Sequence, residues 1–279
     1  MTDRRRFLIG AGTATAALAC PVARARADSS EWRPLFDGRS LHGWRFFQDG
    51  VGAVDADRTV TIERGVLHFL GGRQNGEAAP SGHISTIEAF GNYHLRLDYK
   101  WGETRFTPRA LQRRNSGLLY HMGAAIDRLF PPCVEFQIEE GDVGDAIMVD
   151  TLGLQGPVLG GTPLWPNYFP GLSQTYETPV RFGGLSRLWL RHSGNYERLD
   201  GWNRLDLYVF DDQAAHLVNG RIVNSLFRMV QLEAGSATTP LTKGRIALEF
   251  EQAEISFRNV MIRDLDAAAI ERIKRQGSD

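Results

Sequence analysis

Between Asn115 and Asp145 the chain reads NSGLLYHMGAAIDRLFPPCVEFQIEEGDVGD, where Glu135, Gln137 and Glu139 alternate with Val134, Phe136 and Ile138. A strand has a two-residue side-chain period, so this spacing puts two carboxylates and an amide on one face and three apolar side chains on the other. Carboxylates can exchange protons with a substrate, and an amide between them can clamp hydroxyl groups. His121, which ends the first alternating run, adds a group that changes charge near neutrality. His121 and Glu135 are the leading candidates for general base or metal ligand, followed by Glu139 and by His216, which stands before a tight turn. Asp142, in a Gly-broken segment, joins His121 and Glu135 as a candidate ligand for a divalent ion. A solvated sheet face and an ordinary turn would produce the same local patterns.

Groups of this kind need a rigid sheet beneath them, and the chain supplies strands. Val60–Leu70 (VTIERGVLHFL) is a hairpin about Arg64-Gly65, and Tyr93–Trp101 (YHLRLDYKW) alternates as a central strand should. A meander follows at Arg204–Phe210, Ala214–Val218 and Arg221–Asn224, with turns at Asp211-Asp212 and Asn219-Gly220. Arg245–Phe250 and Glu254–Ile262 complete the set, and Ala267–Gln276 is compatible with a helix. Trp32–Trp44 reads as an anchored opening segment. Residues 71–82 form a Gly-rich loop without the strand-to-helix context of a phosphate cradle, so no nucleotide cofactor is expected. Gly102–Arg114 is a basic loop whose Arg105, Arg109, Arg113 and Arg114 either meet an anion or are solvated. Gly153–Pro179 is long, Gly/Pro-rich and carries Trp165, Tyr168, Phe169 and Tyr176, a composition suited to covering a binding site. Many short strands and Gly turns with almost no helix predict an all-β protein of two antiparallel sheets packed face to face.

Arg4-Arg5-Arg6-Phe7-Leu8 and the small apolar run after it have the form of a twin-arginine export signal, with a small-x-small cleavage site at Ala25-Arg26-Ala27. The expected organisation is a leader over 1–27, one sandwich domain over 28–266 and a tail over 267–279. Location is then periplasmic or secreted; Ala17 replaces the usual lipobox Leu and argues against lipid anchoring at Cys20. Removing the leader takes away five Arg and one Asp and moves the net charge from −1 to −5. Such a chain offers no basic stripe to a nucleic acid and no run long enough to cross a membrane. With Cys20 gone, Cys133 is the one remaining thiol and no intramolecular disulfide forms.

Six strings in order carry a resemblance: Leu35-Phe36-Asp37-Gly38 with Leu41–Trp44, Gly91–Arg96, Asn115–His121, Glu135–Asp145, His216 with Asn219-Gly220, and Phe257-Arg258-Asn259-Val260. Together they resemble the 3-keto-disaccharide hydrolase family over roughly residues 32–265. The resemblance implies a concanavalin A-like jelly-roll sandwich with long loops over a concave sheet. It also implies cleavage of 3-keto-glycosides by proton abstraction at C2 and elimination at C1, hydration of the resulting glucal, or both. His121, Glu135, Glu139 and His216 are then expected to do the proton chemistry, while Asn115, Gln137, Trp101, Trp165 and Glu251 contact the sugar. A divalent metal would suit the enolate. Near the C-terminal strands the matching subgroup tends to read Gln-Ser-Glu-Gly-Ala-Glu, whereas this chain reads Glu249-Phe250-Glu251-Gln252-Ala253-Glu254, so a groove wall is reshaped. Two other functions fit the same residues: a retaining β-glucanase, because Glu135 to Glu139 resembles an E-x-D-x-E strand with Gln137 in place of Asp, and a non-catalytic carbohydrate-binding module.

Overall fold

The structure is a computed structural model and describes residues 31–125, 127–156, 175–233 and 237–276. The expected export leader and Trp165, Tyr168 and Phe169 lie outside the described residues. Eighteen strands and one helix are present among those described. In chain order the first nine strands are β1 (Arg33–Pro34), β2 (Trp44–Gln48), β3 (Val60–Glu63), β4 (Val66–Phe69), β5 (Gly82–Thr86), β6 (Tyr93–Arg105), β7 (Asn115–Met122), β8 (Cys133–Glu139) and β9 (Ala146–Val149). The rest are β10 (Thr151–Gln155), β11 (Val180–Phe182), β12 (Leu185–Leu190), β13 (Asn203–Phe210), β14 (Gln213–Val218), β15 (Arg221–Leu232), β16 (Thr238–Pro240), β17 (Arg245–Phe250) and β18 (Ala253–Asp264), followed by α1 (Ala267–Gln276).

All pairings between these strands are antiparallel, and they make two sheets. One runs β10-β15-β14-β13-β6-β18-β4-β3, with β1 on β18 and β16 on β15; the other runs β11-β12-β9-β8-β7-β17-β5-β2. Between them Leu118, Tyr120, Phe136, Ile138, Met148, Leu248 and Phe250 from the eight-stranded sheet meet Leu95, Leu97, Leu207, Val209, Leu226 and Phe257 from the other. This is the all-β sandwich of two antiparallel sheets that the alternation predicts, in keeping with the jelly-roll that the resemblance implies. The hairpin turns follow from their residues: Arg64-Gly65 and Asn219-Gly220 both take two successive positive φ angles, the geometry that matches strand twist. Helix α1 lays Ile270 and Ile273 over Tyr208, Phe210, Leu217 and Ile222 on the outer side of the ten-stranded sheet.

Several strands exceed their sequence limits. β6 continues through Gly102 to Arg105 because the missing side chain leaves room for Glu254 of β18. The expected Gly153–Pro179 loop begins inside β10, where the space of a Gly153 side chain is taken by Met148 and Met229. β15 extends to Leu232 through the buried Ser225–Phe227 and Met229, where it pairs edge to edge with β10.

Candidate active site

The eight-stranded sheet has a second face, turned away from the shared core, and the register decides what stands on it. β17 lies between β5 and β7, so Glu249 is level with His83 on one side, while Glu251 bridges to Asn115 on the other. β8 pairs with β7 on its far side, placing Glu135 opposite Leu119, Gln137 opposite Gly117 and Glu139 opposite Asn115. Glu135, Gln137, Glu139, Asn115, Glu249 and Glu251 therefore share one face, as the two-residue period requires. Gly117 is the open space at its centre: an added Cβ would lie 2.7 Å from Glu135 Oε1 and 2.8 Å from Glu249 Oε2. Those two carboxylate oxygens are thus at most 5.5 Å apart.

Two of the central carboxyls are out of water, with Glu135 3% and Glu249 0% exposed, while Glu251 is half-buried at the side of the group. Burial pushes Glu135 well above the usual carboxylate range, and the charge of Glu251 adds to the push. Glu249 is raised well above it too, by burial and then by Glu251 and Glu135. Glu251 is raised by burial, but Arg109 and the amide of Asn115, which donates to its carboxylate, oppose the shift. Apart from the neighbouring Glu251 carboxyl, with which Glu249 can share a proton, no donor among the described residues reaches either Glu249 oxygen. Like charges this close oppose one another's ionisation, and Glu251, which Arg109 and Asn115 favour in its charged form, is shifted least.

Two arginines compensate part of the charge. Arg187 of β12, whose partner Val149 lies opposite Cys133, draws all three carboxyls toward ionisation, and its guanidinium sits 4.6 Å from the Phe130 ring. Arg109 donates to Glu139 Oε1 at 2.7 Å. Glu139 is further held by Arg113 at 3.2 Å, so it is committed to ion pairs at the rim. Gln137 accepts the Ile138 N–H and stays half engaged on its own strand. A cavity of about 700 Å³ opens beside this end, lined by residues including Leu111, Arg113, Glu140 and Leu199, though none of the three central carboxylates lines it.

The histidines do not join the carboxylates. His216 lies between the sheets, its ring stacked 4.1 Å from that of Phe136 on the opposite side of β8 from Glu135. Its Nδ1–H donates to the Gly144 carbonyl, so Nε2 accepts from Tyr120 O–H at 3.0 Å, and burial lowers its pKa to about 4. The expected proton role for His216 is corrected on that ground: it is a core histidine tying two sheets together. His121 sits at a bulge, where β7 gains a residue against β17, with φ +49°. Neither of its ring nitrogens has a hydrogen-bond partner among the described residues, and burial alone takes its pKa to about 3. No carboxylate acts on it, so the expected pairing of His121 with Glu135 is not seen. Trp101 is also displaced from the expected sugar contact, because its ring is packed in the core and its Nε1–H donates to Glu197. Glu254, next in the same string as Glu251, belongs to β18 in the other sheet.

The expected metal ligands do not fit an ion. Asp142 is engaged by Arg113 at 2.9 Å and Arg191 at 3.4 Å, His121 feels no carboxylate, and no three His, Cys, Asp or Glu among the described residues are placed to share a metal. Sequence reasoning overlooked Glu249, Arg187 and His83. Glu249-Phe250-Glu251 shows the same alternation as Glu135-Phe136-Gln137, and that was the available signal.

The fold and this face define a two-sheet antiparallel sandwich with a group of carboxyls on the outer face of one sheet. The model of the 3-keto-alpha-glucoside-1,2-lyase-like domain matches residues 31–263, and the chain belongs to that family, which places it among carbohydrate-active, glycosidase-like enzymes. Similar solved structures include a Parabacteroides distasonis protein provisionally classed among glycosyl hydrolases, with 20% identity and TM-score 0.49 over 84% of this chain and 94% of that one. A Bacillus subtilis carbohydrate-binding module has 11% identity and TM-score 0.44 over 80% and 96%. The Bacillus licheniformis β-glucanase has 11% identity and TM-score 0.42 over 86% and 100%. No curated protein sequence matches the chain.

Proposed function

We propose that the protein cleaves 3-keto-glycosides by elimination, with the Glu135–Glu249–Glu251 group as its proton-transfer centre. A ketone at C3 acidifies the C2 proton and leaves the C1 substituent β to the carbonyl. The ionised member of the Glu249–Glu251 pair takes the C2 proton, and the electron pair passes into a C2–C3 enolate. As the enolate collapses, the C1–O bond breaks, a C1–C2 double bond forms and the ketone returns. Glu135, kept protonated by burial, gives its proton to the departing oxygen. Arg187 faces the developing enolate charge, which a guanidinium in a dry site stabilises strongly. Water can then add across the double bond through the same carboxyl groups. The observation that carries this proposal is the convergence of three carboxyl groups on one sheet face, with oxygens of Glu135 and Glu249 at most 5.5 Å apart.

The test is to incubate the purified protein with a 3-keto-glucoside and with its unoxidised parent. The expected outcome is turnover of the keto sugar alone, with Glu135→Gln and Glu249→Gln each slowing it by about 10²–10⁴-fold. Turnover of the parent alone would refute the proposal. The 5.5 Å limit between Glu135 and Glu249 oxygens favours retaining hydrolysis as the second reading, since that reaction needs carboxyls about 5–5.5 Å apart. Turnover of the unoxidised parent is the result that reading requires.

A further inference from the structure

At the far end of the carboxylate face lies a cavity of about 540 Å³ whose lining includes Arg45, Met122, Gly123, Lys243 and Arg245. β17 alternates from Glu249 through Ala247 to Arg245, so Arg245 stands on the same face as the carboxyls, roughly 13 Å along the strand from Glu249. Arg45 shares that face through its partner Ser85. The lining thus carries three cationic side chains and no carboxylate.

Arg245 is the unusual member. It is 6% exposed, yet its hydrogen bonds go only to neutral oxygens: the carbonyls of Gly123 and Ala125 and the hydroxyl of Ser85. Four bonds are made and a guanidinium has five N–H groups, so one Nη1–H remains uncommitted among the described residues. Charged side chains are rarely buried without an opposite charge. Here the one charge acting on Arg245 is a second cation, Arg45, which adds to burial in lowering its pKa. Arg45 and Lys243 are exposed and have no hydrogen-bond or ion-pair partner among the described residues. Beside the first cavity, by contrast, Arg105 and Arg114 pair with Glu140 and Arg109 and Arg113 with Glu139. This end presents three cations with no carboxylate among the residues that line the cavity, on a chain whose net charge is −1.

We infer that the Arg45–Lys243–Arg245 cavity is an anion subsite that takes a carboxylate, sulfate or phosphate group carried by the glycoside whose sugar ring lies over the Glu135–Glu249–Glu251 group. The inference rests on the proposed glycoside site but is read by binding, so its failure and that of the elimination chemistry are separable. The anion supplies the missing counter-charge for Arg245, and the distance between the two ends suits a disaccharide-sized ligand.

The experiment is calorimetric titration of the full chain with glucose, glucuronic acid, glucose 6-phosphate and inorganic sulfate, on the wild type and on Arg45→Ala and Lys243→Ala. Both substituted residues are exposed, and melting temperatures verify the fold. The acidic sugars are expected to bind at least tenfold more tightly than glucose, to compete with sulfate, and to lose that advantage in both variants. Equal affinity for charged and neutral sugars, or an advantage that survives both substitutions, would overturn the inference. Sulfate binding from which acidic sugars are excluded would also overturn it, by assigning the cavity to a free inorganic anion.

Discussion

At the residue scale the site is governed by desolvation, and its pH dependence has two signs. Glu135, Glu249 and Glu251 have folded pKa values above the unfolded 4.5, so their stability contribution is complete below 4.5 and declines as pH rises toward the raised values. His83, His121 and His216 are held at about 4, 3 and 4 against an ordinary 6.5. Their contribution is complete above 6.5 and is lost as pH falls toward those values. The trends oppose one another between pH 4.5 and 6.5, and above 6.5 only the carboxylate loss continues. Glu249→Gln removes a buried ionisable group that no Arg, Lys or backbone N–H among the described residues satisfies. It should therefore stabilise the protein more at pH 8 than at pH 4.5, while depressing activity. Urea unfolding of both forms at the two pH values measures this, and an equal effect at both would contradict the assigned shift.

At the element scale two glycines divide the work of the sheet between function and folding. A Cβ at Gly117 would press on the Glu135 and Glu249 carboxylates, whereas one at Gly244 would strike the backbone of His121. Side-chain ends can yield and a bulged backbone cannot. Gly117→Ala should then lower kcat by about 10²-fold through misplaced proton carriers with a small change in Tm. Gly244→Ala should cost about 3 kcal/mol or more of stability. Melting curves and steady-state rates on both variants separate the cases; comparable losses of stability would remove the distinction. The alternation of β8, the Asn219-Gly220 hairpin and α1 were legible in the sequence because each rests on neighbours within a few residues. That Glu249 and Glu251 stand beside Glu135 was not, because it depends on β17 inserting between β5 and β7, a pairing across more than a hundred residues. His216 follows the same rule: its strand was legible, but whether its ring turns to the core or outward is decided by Tyr120 and Phe136 from the opposite sheet.

At the scale of the whole molecule, the packing that gives the sandwich its stability also seals two of its central carboxyls, since Glu135 and Glu249 are almost fully buried. A substrate can reach them only if that face opens without the sandwich unfolding. Cys133 reports on this. It stands on the same face, level with Arg187, is fully buried against Leu119, Ile147, Val149 and Ala247, and its thiol is pushed well above its ordinary pKa by burial and by Glu135. A thiol of this kind reacts only when solvent enters. In a Cys20→Ser chain, where Cys133 is the single cysteine, labelling by an aromatic disulfide should proceed faster than global unfolding measured in urea, the signature of a local opening. A 3-keto-glucoside product, or an acidic sugar held at the Arg245 end, should slow the labelling by occupying the opened face. Labelling that coincides with global unfolding would mean that the face and the core open together, leaving the carboxylates no access to substrate in the folded protein.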